Sequence, residues 1–302
     1  MLIIGGATAT GKSGIALQVA KEINGEIISA DSMQIYKYMD IGTAKITMEE
    51  RQGIVHHLID IVEPEENFSV AQFCSIAREK IIDIKSRNKV PIIAGGTGLY
   101  INTLIYEYKL SNQDLELRDS LKKELETVGK EEMYKKLSAV DPVSASKIHQ
   151  NNVKRVLRAL EVYLSSGQSL GEKDDKKETI PHMMYALSLD RDKLYQKIND
   201  RVDKMFQTGL VEELEYLVNE KKLNFDMQSM QAIGYKEFKN YFTDIESMEE
   251  IKNNIKQHTR NYAKRQITWL KSIPTCQWLR NEDKQQIIDK ICIEYSKYKA
   301  NL

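Results

Sequence analysis

Apolar residues open the chain in a short unbroken run, Leu2 to Ile4 closed by Gly5, which reads as a buried strand. After a small-residue turn, GIALQVAKEI takes up a helical period that ends near Asn24-Gly25. Glu26 to Ala30 reads as a second buried strand stopping at Asp31, and His56 to Ile61 alternates as a half-buried strand. Val70, Phe73, Ile76, Ala77, Ile81 and Ile84 lie on one face of a helix over 68–85. Val90 to Ala94 is a continuous apolar run typical of a central parallel strand, halted by Gly95-Gly96-Thr97-Gly98. From about Leu115 to Ser165 only helices are predicted: Leu115 to Val128, Lys130 to Ser138, a turn at Asp141-Pro142, and Asn152 to Ser165 capped near Gly167. A polar loop, GEKDDKKET, precedes a strand over Met184 to Leu189. The last third reads as helical: Asp192 to Thr208, a break at Gly209, Val211 to Lys221, and Ser247 to Lys271.

Residues Gly6 to Ser13, GATATGKS, fit the phosphate-cradle pattern G-x-x-x-x-G-K-[ST]. Successive backbone N–H groups, a lysine ammonium and a helix N-terminus would converge there on phosphate oxygens. Its four fixed positions coincide by chance in about one chain in a hundred of this length. A strand before it and a helix after it strengthen the assignment. The whole predicts an α/β, P-loop NTPase-like fold, a parallel sheet flanked by helices, with a helical insertion domain closing as a lid. The core would comprise residues 1–110 and 183–302, and the insertion residues 111–182.

The 302 residues carry 44 basic and 44 acidic side chains, so bulk charge points to neither nucleic acid nor membrane. Three scattered cysteines, Cys74, Cys276 and Cys292, match no metal-ligand spacing and suit a reducing compartment. No stretch is long enough to span a bilayer, so a cytoplasmic protein without a membrane partner is expected. Distribution of charge says more than its sum. Lys252, Lys256, Arg260 and Lys264 recur every four residues with Arg265 and Lys271 nearby, and no acidic residue lies between Ile251 and Lys271. They form one basic stripe, a nucleic-acid footprint, with Ile251, Ile255, Tyr262 and Trp269 on a core-facing stripe.

Asp31 ends a predicted strand, where ligands of open α/β sheets gather, so it is either a base or metal ligand or a helix N-cap before Ser32-Met33-Gln34. His56 and His57 point to opposite faces of their strand, which favours one packed and one exposed histidine over a shared metal. The Val90 to Ala94 strand ends in glycine and threonine, where a nucleotide hydrolase would often place a magnesium-binding aspartate.

Read together, these segments resemble the tRNA dimethylallyltransferase (isopentenyltransferase) family, in its bacterial form. The likeness runs through GATATGKS at 6–13, DSMQIYKYMDIGTAK at 31–45, HHLID at 56–60, GGTGLY at 95–100, RVLRALEVY at 155–163, INDRVDKMFQTGLVEE at 198–213, AIGYKE at 232–237 and KRQITWLK at 264–271. It implies transfer of a five-carbon group from dimethylallyl diphosphate to the exocyclic amine of the adenosine 3′ of the anticodon. Gly6, Ala7, Thr8, Ala9, Thr10, Gly11, Lys12 and Ser13 would then bind the diphosphate, Ser13 also holding magnesium, with Arg201 on the same phosphates. Asp31 would be the general base and Thr97 would orient the amine, making Asp31, Thr97 and Arg201 the catalytic set. Ser32, Met33 and Gln34 would line the pocket of an extruded base.

By the same resemblance the anticodon stem-loop would meet Arg118, Lys154, Arg155, Arg158, Gln231, Gly234 and Lys236, and further on Lys264, Arg265, Gln266, Thr268 and Lys271. A monomer with Mg2+ as cofactor is expected. The chain departs from the pattern at Ala7, where the family usually has Pro, and at Gln150 and Asn152, where it has Pro and Asp. No zinc-finger extension of the kind found in eukaryotic relatives is expected. A small-molecule kinase using the cradle for ATP, an isopentenyltransferase of free adenine nucleotides and a non-enzymatic RNA-binding module are the rivals.

Overall fold

The computed structural model describes residues 1–106, 114–170, 178, 180–243, 247–280 and 283–300. The expected polar loop at 171–179 lies, Glu178 apart, outside the described residues. The chain divides into two compact units, residues 1–105 with 179–302, and residues 106–178.

The first unit is built on a six-stranded parallel sheet in the order β3-β2-β4-β1-β5-β6. Its strands are β1 (Leu2–Gly6), β2 (Gly25–Ala30), β3 (His56–His57), β4 (Val90–Gly95), β5 (Met183–Ser188) and β6 (Cys276–Arg280). The four central ones are the buried strands, as expected of strands covered on both faces, although β2 also buries Glu26 and Ser29. β3 is only two residues long, not the six expected, because Leu58 and Asp60 take positive φ values of 62° and 57° and end the pairing. β6 breaks the helical reading of the last third. Only Leu279 of its five residues is buried, so this edge strand carries little hydrophobic signal.

Helices α1 (Lys12–Glu22) and α2 (Val70–Ser86) flank the sheet, the latter opened by a Ser69–Gln72 capping box. α3 (Gly98–Ile105) went unforeseen because five of its eight residues are buried, leaving no amphipathic stripe to detect.

In the second unit, α4 (Leu115–Val140) contains the two expected helices, meeting at Gly129 with φ 80° and ψ 169°. Asp141 then caps the short α5 (Pro142–Ala145), its Oδ1 accepting from Ser144 N at 2.9 Å. α6 (Val153–Ser166) ends on Gly167 in the left-handed region. Leu121, Met133, Leu137, Val156, Ala159 and Leu160 form the core of this unit.

Back in the first unit, α7 (Arg191–Gln207) and α8 (Leu210–Asn219) are separated at Gly209. α9 (Met248–Lys271) starts from a Ser247–Glu250 capping box, and α10 (Lys284–Ala300), also unforeseen, packs Ile287, Ile288, Ile291 and Tyr295 into the core beside α1. Among the described residues no helix is long and apolar enough to cross a membrane.

Candidate active site

The carboxyl ends of β1, β2 and β4 open onto one cleft, and the first of them delivers the cradle. Gly6, Ala9 and Gly11 take φ values of 157°, 63° and 85°, which wrap the loop. A Cβ on Gly6 would stand 2.7 Å from Thr10 Oγ1, whose hydroxyl donates to Ala7 O, so glycine is required at this turn. Lys12 and Ser13 begin α1 and line the cleft together with Thr8.

Opposite the cradle stands Asp31. No helix follows it; its Oδ1 accepts from Met33 N at 3.0 Å, so the helix-cap alternative gives way to a turn closed by the carboxylate, which also faces the cleft. Thr97 Oγ1 accepts from Ser32 N at 3.1 Å and Thr97 N donates to Ala30 O, joining the ends of β4 and β2. Arg201, from α7, reaches the cradle from a third side and donates to Thr8 Oγ1 at 2.9 Å.

Burial shapes the charges. It lowers the Lys12 ammonium to about 8, with Asp31 opposing the shift and Arg201 adding to it. The Arg201 guanidinium is lowered by the same cause. Tyr262 is pushed up to about 12 by burial, so its phenol stays protonated. Ala16, Ile27, Ile46, Ile59 and Ala94 give the cleft an apolar wall beside these polar groups.

The two histidines have separate partners. His56 Nδ1 lies 2.9 Å from Ile54 O and its ring lines the cleft, while His57 Nε2 lies 2.8 Å from Glu26 Oε2. Both are half-buried, so the expected split into one packed and one exposed ring does not occur. Arg87 and Lys89 complete the shell around the Glu26 carboxylate and hold it well below the usual range. Among the described residues no three His, Cys, Asp or Glu side chains gather as a metal site.

A protein-family model described as IPP transferase matches residues 34–273. The chain belongs to that family. It is 47% identical over 286 residues to the tRNA dimethylallyltransferase of Anoxybacillus flavithermus, covering 94% of this chain and 91% of the relative. Its fold superposes on the crystal structure of the tRNA isopentenylpyrophosphate transferase of Staphylococcus epidermidis with a TM-score of 0.74 at 42% identity, covering 98% of each chain. A eukaryotic dimethylallyltransferase, solved acting on tRNA, gives a TM-score of 0.80 at 31% identity over 95% of this chain and 75% of that one.

In this IPP transferase Thr8, Lys12, Ser13, Asp31, Gln34, Arg201 and Gln266 all meet in the cleft, with Thr97 beside it. The basic stripe of α9 does not stay whole. Lys252 and Lys256 both place Nζ against Asp203 Oδ1 of α7, at 2.8 and 2.7 Å, and Arg260 donates to Asn199 and Gln257. The missing acid is supplied by the neighbouring helix, so of the lysines and arginines in the stripe Lys264, Arg265 and Lys271 are the exposed ones. The core-facing stripe also turns. Ile251 and Ile255 are buried with Ala263, Gln266 and Leu270, while Tyr262 is released into the cleft.

Other residues assigned to tRNA have partners within the protein. Gly234, with φ 103°, is buried against Gly42 and donates its N–H to Glu237 Oε2. Lys236 stands 3.9 Å from Glu237, Gln231 donates to Phe225 O, and Arg158 is held by Glu161 at 2.6 Å. Arg118, Lys154 and Arg155 are exposed on the helical unit, and Thr268 is exposed on α9.

Sequence reasoning gave no role in the site to Tyr262, His56 or Glu213. The Glu213 carboxylate accepts from the backbone N–H groups of Asp40, Ile41 and Gly42 and from Tyr235 Oη, fixing the loop that backs Gln34. A lone Glu in an amphipathic helix carries no local sign of that duty.

Proposed function

We propose that this chain transfers the dimethylallyl group of dimethylallyl diphosphate to the exocyclic amine of the adenosine 3′ of the tRNA anticodon, releasing diphosphate. The observation that carries the proposal is the meeting of the cradle, Arg201 and Asp31 in one cleft with an apolar wall. Cradle amides, Lys12 and Arg201 would hold the diphosphate, and their charge would offset the negative charge that grows as the allylic C–O bond breaks. The five-carbon tail has the chemistry to lie against Ile27, Ile46 and Ile59.

The amine nitrogen would form the new C–N bond and pass a proton to the Asp31 carboxylate during or after attack, since an adenine amine is too weak an acid to ionise first. Thr97 would orient that amine. A stacked adenine could not reach a carbon held against the cradle, so the base must be extruded. Backbone phosphates of the anticodon stem-loop would meet exposed cations such as Lys264, Arg265, Arg118 and Lys154.

The Ser13 hydroxyl and the Asp31 carboxylate, hard oxygen donors on the same cleft, fit a magnesium ion carried in by the phosphates, with Ser13 as its protein ligand. When bound, the ion would neutralise leaving-group charge.

Incubation with Mg2+, dimethylallyl diphosphate and unmodified tRNA is expected to add the mass of one prenyl group to a single adenosine. Tight ATP binding with no such gain would overturn the assignment in favour of a kinase.

A further inference from the structure

Gln266 is a buried polar side chain, 5% exposed, lying between the two halves of the site. Its Oε1 accepts from the cradle amide Thr8 N at 2.8 Å, and its Nε2 donates to Gly96 O at 3.0 Å. Thr8 is also the residue that receives Arg201, and Gly96 precedes Thr97, whose hydroxyl is tied to Ser32 beside Asp31. A Cβ on Gly96 would collide with the Gln266 carboxamide, so the glycine there makes room for this bridge. The helix that carries it is set firmly: Leu270 is buried, and Trp269 stacks so closely over Gly98 that no side chain would fit between. Tyr262, one turn earlier, lines the same cleft as Gln266.

We infer that Gln266 is a positioning residue for the transfer step, its carboxamide fixing the spacing between the diphosphate cradle at Thr8 and the acceptor-side loop at Gly96-Thr97. Resemblance had placed Gln266 among residues that touch tRNA. Both ends of its amide are committed inside the protein. The chemistry is demanding at this site, because a side chain of this length must accept at one atom and donate at the other. Glutamate would set a carboxylate oxygen against the Gly96 carbonyl, and methionine would make neither bond. Small errors in the distance between reacting atoms cost rate far more than affinity.

The inference rests on the prenyl-transfer activity proposed above, so wild-type protein is assayed in parallel. With both substrates varied, Gln266→Glu and Gln266→Met are expected to lower kcat about ten- to a hundredfold while each KM stays within about threefold. As pH falls, the deficit of Gln266→Glu relative to wild type is expected to shrink, because a protonated carboxyl can accept from Thr8 and donate to Gly96. Lys12, Asp31, His56, Arg201 and Tyr262 face the same cleft in wild type and variants alike, so comparison with the uncharged Gln266→Met separates the carboxyl at position 266 from the rest of the site. The deficit of Gln266→Met is expected to be flat with pH, and that variant remains measurable should the glutamate form not fold. Wild-type kcat in both variants, or a loss confined to KM, would overturn the inference. No transfer by wild type would instead remove the activity on which it rests.

Discussion

Arg201 Nη1 donates to Thr8 Oγ1 at 2.9 Å across a separation of 193 residues, so α7 brings a guanidinium to the rim of a loop formed at the very start of the chain. The fork of that guanidinium can hold the cradle with one nitrogen and meet phosphate oxygens with parallel donors in a fixed plane, a geometry that a compact ammonium does not offer. Arg201→Lys is expected to lower kcat/KM for dimethylallyl diphosphate at least about tenfold, and Arg201→Ala about a hundredfold, a range typical of losing a charge-stabilising donor. Steady-state kinetics with saturating tRNA checks this, and equal rates for wild type and Arg201→Lys would rule out a directional role.

Asp31 keeps one carboxylate oxygen on Met33 N, which holds the side chain toward the cleft and leaves its other oxygen for a substrate. Asp31→Ala should therefore lower single-turnover transfer by at least about a hundredfold while donor and tRNA still bind. Near-normal turnover would remove it as the base.

What could be read in advance was whatever the backbone enforces locally. The cradle needs small residues at fixed spacing, and β1, β2, β4 and β5, covered on both faces, need largely apolar runs, so both kinds of element show in one dimension. Asp31 stood out because it ends a strand where ligands gather, and Arg201 was named because it sits in a segment that carries the family resemblance. What could not be read were relations between distant segments. Lys252 and Lys256 look unpaired until α7 brings Asp203 against them. Tyr262 looks like core because its apolar neighbours share its helix, yet α9 is rotated so that Ala263, Gln266 and Leu270 take the core and the phenol takes the cleft. β6 was hidden for a different reason: an edge strand with one buried residue has almost no pattern to find.

That pairing divides the basic stripe into two functional halves. Lys252→Ala and Lys256→Ala are expected to leave tRNA affinity and its salt dependence unchanged, because both ammonium groups already neutralise Asp203. Lys264→Ala and Arg265→Ala are each expected to reduce the slope of log K against log salt by about one phosphate contact. Binding titrations across a salt series distinguish the halves, and equal effects at all four positions would show that the stripe acts as one.

Glu213 predicts a defect in stability as well as in rate. Its removal strands the N–H groups of Asp40 and Ile41, leaves Gly42 N–H with only Tyr235 Oη to bond, and takes the acceptor from the Tyr235 hydroxyl, whose ionisation burial already opposes strongly. Glu213→Ala should cost about 2–3 kcal/mol of unfolding free energy, the scale of losing hydrogen bonds to a charged group. Chemical denaturation measures it, and an unchanged midpoint would mean that the loop finds other partners.

The cradle should also be sensitive to alkali. Burial lowers Lys12 to about 8 in the empty protein, so below that pH the ammonium is present before the ligand arrives, and above it a proton must be taken up as the diphosphate binds. A bound polyanion favours the charged lysine and raises its pKa, so the complex holds more protons than the free protein on the alkaline side. Inorganic diphosphate titrates in the same range, so the linkage is read as a ratio: wild-type affinity relative to Lys12→Arg is expected to be level below about pH 7.5 and to fall as pH rises through 8, approaching tenfold per unit where one proton is taken up. Lys12→Arg keeps a charge that does not titrate in this range, so its affinity, though weakened by the altered shape, should follow a flatter profile. Calorimetric titration of both proteins between pH 7 and 9.5 tests the assignment; a parallel fall in the two would trace the alkaline loss to a group other than Lys12.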